Sequence, residues 1–234
     1  MANILSVSDA VGRLEERMQA ALHRAQRTDP VTLVAVTKLI DPERIADAYR
    51  CGIRHFGENR VQEAAEKRRF LSLPNATWHL VGHLQSNKAR QAVEFFDWIQ
   101  SVDSSALAER LNRLAAASGK RVPVLIQVNL GNEPSKQGIS EEGLLPLVER
   151  TAALPHLDLR GLMCLPPYFD DPEQARPFFR QLAEWRDTLA ARLPPGVNLR
   201  ELSMGMSHDF EVAIEEGATM IRVGTALFGP RPTQ

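Results

Sequence analysis

The sequence predicts an α/β protein folded as a closed (β/α)8 barrel, or TIM barrel, with an amphipathic helix in front of it. Strand-like and helix-like segments alternate along the chain with little between them, which indicates parallel strands joined by right-handed crossovers. The strand candidates are nearly continuous apolar runs, as expected of strands buried on both faces. Eight of them fit into about 200 residues, which favours a closed barrel over an open sheet.

The first element is the N-terminal helix. Its apolar residues recur at helical spacing, and they are Ile4, Val11, Leu14, Met18, Ala21 and Leu22. Acidic residues interrupt the segment and it contains no apolar core, so it is unlike a targeting peptide. We therefore expect a folded amphipathic helix that remains part of the protein.

The strand candidates follow in order, and each of the first seven leads into a helical pattern. They are TLVAVTK, IRHFGEN, TWHLVGH, WIQSV, PVLIQVNL, LRGLMCL, LREL and TMIRVG. LREL is the weakest of them, and we expect the segment Ser203 to Ser207 to form the loop that follows it. The histidine of TWHLVGH, His79, is predicted to line the core of the barrel.

Helix ends are marked by proline and glycine. Asp41-Pro42 and Asp171-Pro172 have the pattern of an N-cap followed by proline in the first turn. Gly52, Gly119 and Gly217 stand where helices are expected to stop. Pro177 falls inside the helix drawn from Pro172 to Leu193, so a break or kink is expected there. No linker or shift in composition divides the chain, which predicts one domain over residues 1–234.

Composition excludes several classes of function. The formal net charge is -1, from 28 basic and 29 acidic residues, so nothing favours a nucleic acid as partner. No run approaches the ~18 apolar residues that a membrane span needs. Cys51 and Cys164 are too far apart for metal-ligand spacing, and the six histidines are scattered, so no metal site is expected. We expect a cytoplasmic protein.

Ligands of such barrels bind where the strands end, and the first strand ends at Lys38. A lysine at a strand end usually extends its ammonium group into water. The alternative is that Lys38 reacts with a carbonyl ligand, because a partly desolvated lysine loses its proton and becomes a nucleophile. The residue alone leaves both interpretations open.

The seventh and eighth strands are followed by segments suited to phosphate. Ser207 lies at a loop-to-helix junction as a candidate N-cap, and Gly224 and Thr225 directly follow the last strand. Loops at these two positions, with a helix N-terminus, form the recurrent phosphate site of the barrel fold. Ordinary capping and turn formation would explain either segment alone, but both together favour a phosphorylated ligand.

An arginine interrupts the apolar last strand. Arg222 shares a face with Met220 and Gly224, and an arginine inside a barrel is costly unless its donors meet acceptors. A structural salt bridge would satisfy it. A ring nitrogen of a ligand would also satisfy it, because an arginine donates a hydrogen bond without giving up its proton.

Eight segments, in order, resemble the pyridoxal phosphate homeostasis protein family, whose fold is related to the N-terminal barrel of alanine racemase. They are LVAVTK, HFGENRVQE, WHLVGHLQSNK, SVDS, VNLGNEPSKQG, GLMCLPP, LSMGMSHDFEVAI and IRVGTALFG, and they cover roughly residues 31 to 230. The resemblance implies the type III fold of proteins that bind pyridoxal 5'-phosphate. His208 departs from the family pattern, which has a small or acidic residue there, and its role is left open.

The resemblance also implies the site. Lys38 would carry the cofactor as an internal aldimine, and Arg222 would face the pyridine nitrogen. The phosphate would be held by Ser207, Gly224 and Thr225. Asn59 and Met204 would lie beside the cofactor.

Three functions are compatible with such a site. The first is a non-catalytic carrier and buffer of pyridoxal phosphate, working as a monomer and supplying apo-enzymes. The second is an amino-acid racemase of weak activity, and the third is an imine-forming lyase without pyridoxal. We expect the carrier, because racemases of this fold take a second base, a tyrosine, from a further C-terminal domain. The tyrosines of this chain, Tyr49 and Tyr168, lie outside the matching segments.

Overall fold

The computed structural model describes residues 6–131 and 137–230, and in these ranges eight parallel strands close into one barrel in sequence order. The strands are β1 Thr32–Val36, β2 His55–Glu58, β3 Thr77–Leu80, β4 Trp98–Val102, β5 Val122–Val128, β6 Leu157–Cys164, β7 Glu201–Met206 and β8 Met220–Val223. Strand β8 pairs with β1, with Arg222 opposite Val34, and this pairing closes the barrel. The predicted fold class is confirmed.

The helices lie outside the barrel, one or more after each strand. They are α1 Val7–Arg24, α2 Pro42–Arg50, α3 Val61–Arg68, α4 Ala89–Phe95, α5 Ser105–Ala117, α6 Glu141–Ala152, α7 Arg176–Ala190, α8 Phe210–Glu215 and α9 Thr225–Phe228. Short 3₁₀ helices at Ser86–Lys88 and Pro172–Ala175 precede α4 and α7. Within the described residues, no helix has both the length and the apolar character needed to cross a bilayer.

Helix α1 confirms the prediction from the N-terminal periodicity. Its buried face consists of Val7, Ala10, Val11, Leu14, Met18, Ala21 and Leu22, and it packs against α2, α8 and α9. Arg17 fixes its orientation, because the guanidinium binds both carboxylate oxygens of Glu211 at 2.9 and 2.7 Å and lies over the Phe210 ring. Ile4, which the pattern also assigned to this face, lies outside the described residues.

The predicted helix boundaries are found near Pro172 and Pro177. The Asp171 carboxylate accepts the Glu173 amide, a 3₁₀ turn follows, and α7 begins at Arg176 with Pro177 in its first turn. The break lies there because a proline deeper in a helix would remove a backbone hydrogen bond. Gly52, Gly119 and Gly217 end their helices with φ of 97°, 62° and 99°.

The seventh strand differs from the prediction. It begins at Glu201 rather than Leu199 and continues through Met206, so Ser203 to Met206 belong to the strand and not to the following loop. Pairing with β8 skips one residue, because Ser203 is opposite Met220 whereas Met206 is opposite Arg222. Gly205 lies inside this bulge with φ of 89°, a conformation that glycine adopts readily.

The barrel has two kinds of interior. The space between strands and helices is apolar and includes Phe56, Ile99, Leu111, Phe179 and Phe210. The space enclosed by the strands contains polar side chains that bind one another, namely His79, Gln100, Ser203 and Arg222. His79 therefore lines the core, as predicted. The second space leads to the strand ends where the candidate site lies.

Candidate functional site

A cavity of about 320 Å³ lies at the carboxyl ends of β1, β2, β7 and β8. Five of the seven residues predicted for the site line it: Lys38, Asn59, Ser207, Arg222 and Thr225. These residues come from two pairs of consecutive strands, β1 with β2 and β7 with β8, which are distant in sequence and meet where β8 pairs with β1. The barrel thus gathers an amine, a guanidinium, hydroxyls and an amide around one space, whose volume suits a small ligand.

Ser207 joins the loops that follow β7 and β8. Its Oγ accepts the backbone N–H groups of Gly224 and Ala226, both at 3.1 Å. The predicted role of Ser207 as N-cap of the next helix is wrong, because Asp209 occupies that position and accepts the Met206 amide at 2.6 Å. Gly224 is not among the residues lining the cavity, but its amide is held beside it through the Ser207 hydroxyl.

Met204 does not reach the cavity. It is fully buried in the apolar layer between strands and helices, and Met206 lines the cavity instead. Neighbouring residues of a strand point to opposite faces, so Met204 points away from the interior that its neighbour Ser203 faces. The β7 bulge then brings Met206 next to Arg222.

Arg222 is held inside the barrel by neutral oxygen atoms. One terminal nitrogen donates to Ser203 Oγ at 2.6 Å and the other to the Cys164 carbonyl at 2.7 Å. Burial lowers the pKa of the guanidinium, against the opposing fields of Cys164 and Asp209. Within residues 6–131 and 137–230 no carboxylate forms a salt bridge with it, so the structural ion pair considered from the sequence is not found there.

A chain of hydrogen bonds runs from Arg222 through the barrel. Because a guanidinium can only donate, Ser203 must accept from it, and the Ser203 hydroxyl then donates to Gln100 Oε1 at 2.6 Å. Gln100 Nε2 donates to His79 Nδ1 at 3.0 Å, and His79 Nε2 is 3.0 Å from His55 Nδ1. This order assigns the Nε2–H tautomer to His79.

His79 is neutral in this chain. Burial, and secondarily the charge of His55, lower the pKa of His79 to about 3. A proton on Nδ1 would also oppose the Gln100 N–H that points at it. Because Arg222 can only donate, it sets which atom donates and which accepts at each later step of the chain, as far as His79.

A second network lies next to Lys38, on the outer side of β1 and β2. Lys67 of α3 donates to Glu58 Oε1 at 2.8 Å, to Glu63 Oε1 at 2.6 Å and to the Thr37 carbonyl at 2.5 Å. The Thr37 hydroxyl also donates to Glu58 at 2.6 Å. Burial raises the pKa of Glu58, and the hydrogen bonds of Lys67 and Thr37 oppose that rise.

At the outer rim of the cavity, sequence reasoning left the role of His208 open and did not assign Leu165 and Tyr168 to the site. Leu165, Tyr168 and His208 line it, and the rings of Tyr168 and His208 are 5.4 Å apart. His208 Nε2 lies 3.0 Å from the Asp170 carbonyl, which it can only bind as a donor. The available signal was PPYF after the sixth strand, an aromatic pair in a strand-end loop.

Asn59 also borders a second cleft of about 580 Å³, which Arg60, His83 and Lys88 line from the other side. Gly82 allows the Asn59 backbone to lie close to it, since a Cβ on Gly82 would lie 2.4 Å from the Asn59 carbonyl oxygen. Within the described residues, no group of three or more His, Cys, Asp or Glu side chains forms a metal site.

Comparison with known proteins identifies relatives along nearly the whole chain. The family model described as alanine racemase, N-terminal domain, matches residues 11–232. A pyridoxal phosphate homeostasis protein of Aquifex aeolicus is 43% identical over 228 residues, which is 97% of this chain and 99% of the relative. That of Escherichia coli K12 is 40% identical over 231 residues, 96% of this chain and 97% of the relative.

Solved structures show the same similarity. PipY of Synechococcus elongatus PCC7942, solved with PLP bound, superposes with a TM-score of 0.84 at 43% identity, over 95% of this chain and 100% of PipY. Alanine racemase of Corynebacterium glutamicum superposes with a TM-score of 0.67 at 20% identity, over 96% of this chain and 61% of the racemase. The latter similarity concerns the fold alone.

Proposed function

Because this chain belongs to the alanine racemase N-terminal domain family, and within it to the pyridoxal phosphate homeostasis proteins, we propose that it binds pyridoxal 5'-phosphate and acts as a carrier and buffer of that cofactor. The observation that carries the proposal is the meeting of Lys38, Ser207, Arg222 and Thr225 in one cavity. A relative of 43% identity, PipY, has been solved with PLP bound.

The groups around the cavity fit this cofactor. The cofactor would supply an aldehyde, a group that condenses with an amine with loss of one water molecule. Lys38 provides the amine. Ser207 and Thr225 provide hydroxyl groups for the phosphate, and the Gly224 amide, bound to Ser207 here, is a further donor beside it. Asn59 also lines the cavity.

Arg222 has a different role, which is to bind the pyridine nitrogen of the cofactor. It keeps its proton even when buried, so it donates a hydrogen bond to that nitrogen and leaves it unprotonated. The cofactor withdraws electrons from an amino acid best when this nitrogen carries a proton. A buried arginine at this place therefore favours storage of the cofactor over catalysis with it.

A weak racemase-like activity is the second candidate, and it would depend on Tyr168. The structure places this tyrosine at the cavity that Lys38 lines, where its side chain could serve as a second base. Its side chain is 72% exposed, however, so water reaches it freely. A base that is exposed to water, acting on a cofactor whose unprotonated ring nitrogen withdraws electrons weakly, gives little rate enhancement.

The open rim also suits a carrier that releases its cofactor to apo-enzymes. Leu165 and Tyr168 are exposed large apolar residues that line the cavity. We propose that the protein works in the cytoplasm as a monomer, with residues 1–234 forming one cofactor-binding domain. The molar mass in solution, measured with and without the cofactor, tests the monomer. It should be near the 26.1 kDa of one chain in both states, and a mass near twice that value in either state would contradict the proposal.

Reduction with borohydride tests the site. Pyridoxal phosphate should be fixed on the Lys38 peptide, as found by mass mapping, whereas Lys38→Ala should lose this label and keep a phosphate-dependent affinity. The matched control, Lys120→Ala, should be labelled like the wild type, because Lys120 binds backbone carbonyls at the opposite end of the barrel. Label on Lys88 or Lys136 would contradict the assignment.

Stereospecific exchange of the alanine α-hydrogen in deuterated water, abolished by Lys38→Ala, would favour the racemase.

A further inference from the structure

We propose that Glu63 and Lys67 of α3 are positioning residues for Lys38, and that they act by holding the turn in which Lys38 lies. The proposal rests on the function proposed above, in which Lys38 is the residue that reacts with the cofactor. Neither residue lines the cavity. Both act through the two peptide groups that flank Lys38.

The turn has an unfavourable backbone conformation. The Ile40 amide donates to the Thr37 carbonyl at 3.0 Å, which closes a four-residue turn with Lys38 at its second position. Leu39, at the third position, has φ of 60°. A positive φ at the third residue is the mark of a type II turn, where glycine or asparagine is preferred. The Leu39 side chain is 53% exposed, so packing does not compensate for this conformation.

Two hydrogen bonds from α3 hold the turn instead. Glu63 Oε1 accepts the Leu39 amide at 2.6 Å, and Lys67 Nζ donates to the Thr37 carbonyl at 2.5 Å. The same Glu63 oxygen is 2.6 Å from Lys67 Nζ, so the peptides before and after Lys38 are bound to one ion pair. Rotation of the Lys38–Leu39 peptide would convert the turn to the commoner type I and would point the Leu39 N–H away from Glu63.

The network is ionic and its position is fixed. Burial raises the pKa of Glu63, but the hydrogen bonds from Lys67 and the Leu39 amide outweigh it and leave the pKa below its usual value. Glu58, which is fully buried on β2, also binds Lys67 and so links it to the barrel. The direction of the Lys38 side chain is thereby set by α3 as well as by β1. A displacement of about 1 Å at a reacting group lowers its reactivity as much as 10²-fold.

The test compares two substitutions of Glu63. Glu63→Ala removes the acceptor of the Leu39 amide, whereas Glu63→Gln keeps an oxygen there. With pyridoxal phosphate as probe, we expect the fraction of Lys38 fixed by borohydride at limiting cofactor to fall about tenfold in Glu63→Ala and little in Glu63→Gln. Affinity for pyridoxamine phosphate, which has no aldehyde, should stay within about twofold of wild type, because the phosphate loops are unchanged.

Leu39→Gly provides the rescue. Glycine adopts a positive φ without help, so the double variant Glu63→Ala/Leu39→Gly should regain most of the labelling. A loss that Leu39→Gly leaves unchanged, or that weakens pyridoxamine phosphate equally, would show a general structural effect and overturn the proposal.

A cofactor-free measurement separates this proposal from the proposed function. Exchange of the Leu39 amide proton should be slow in the wild type and at least about tenfold faster in Glu63→Ala, with Lys120→Met as the unaffected control. Equal exchange in the wild type and Glu63→Ala would overturn the holding of the turn. Absence of label on Lys38 in the wild type would instead overturn the proposed function, whatever the exchange shows.

Discussion

Lys67 and Arg222 are both buried cations close to the cavity, but the protein compensates their charges differently. Lys67 binds two carboxylates and one carbonyl, so its charge is neutralised where it lies. Arg222 binds the Ser203 hydroxyl and the Cys164 carbonyl, which carry dipoles and no formal charge. Within the described residues, Lys67 thus forms ion pairs inside the fold, whereas Arg222 forms none and has only the fields of Cys164 and Asp209 opposing the effect of its burial.

The difference indicates what each cation is for. A buried charge that is fully paired holds the chain together, and Lys67 accordingly binds groups of the turn after β1, of β2 and of α3. A guanidinium has five N–H donors, so Arg222 keeps donors beyond the two bonds described above, and it lines the cavity. Arg222 is thus suited to an acceptor that comes from outside the protein.

The largest expected effect is that of Lys67→Met. Removing this cation leaves Glu58 and Glu63 close together with their charges uncompensated, and breaking a buried pair in this way costs about 3–5 kcal/mol. Urea unfolding at pH 7.5 measures the loss. Lys120→Met, a lysine bound to carbonyls alone, is the matched control and should lose about 1 kcal/mol. Equal losses in the two variants would break the comparison.

The pH dependence of stability tests the interior chain that Arg222 begins. The pKa of His79 is about 3 in the folded protein, against about 6.5 in an unfolded chain. Between these values the unfolded state binds more protons, so stability falls as the pH decreases below about 6.5. From pH 6.5 to 5 this amounts to about 2 kcal/mol.

His79→Asn provides the reference, because it removes this titration and leaves the other groups in place. Urea unfolding of both proteins at several pH values should show a steeper acid loss in the wild type. Parallel curves would mean that His79 accepts a proton within the fold, which contradicts the assigned hydrogen bonds.

Arg222→Met should have the smallest effect on stability, about 1–2 kcal/mol. The variant loses two hydrogen bonds, but it also removes a desolvated charge and leaves no bound carboxylate behind. Its effect on pyridoxal phosphate affinity, measured by titration of the cofactor absorbance, should be clear nevertheless. If Arg222→Met destabilised the protein as much as Lys67→Met, Arg222 would be a structural cation as well.

Much of this protein follows from its sequence because the signals are local. The face of α1 follows from the spacing of its apolar residues, and the break before α7 follows from Pro177. The closed barrel follows from the alternation of strands and helices, since consecutive parallel strands with right-handed crossovers have few arrangements. Strand ends then name Lys38 and Thr225 as site candidates, because in this fold all carboxyl ends meet on one side.

Contacts between segments distant in the chain were decided by the tertiary structure. The sequence could not show that Met206 and not Met204 lines the cavity, because a bulge that depends on pairing with β8 sets the register of β7. Likewise Ser207 was expected to cap the helix after it, yet its hydroxyl binds amides 17 and 19 residues away. Glu63 and Lys67 hold the Lys38 turn only when α3 packs against β2 and beside the turn after β1. A side-chain hydrogen bond needs its two atoms within about 3 Å, a condition that no spacing along the chain encodes.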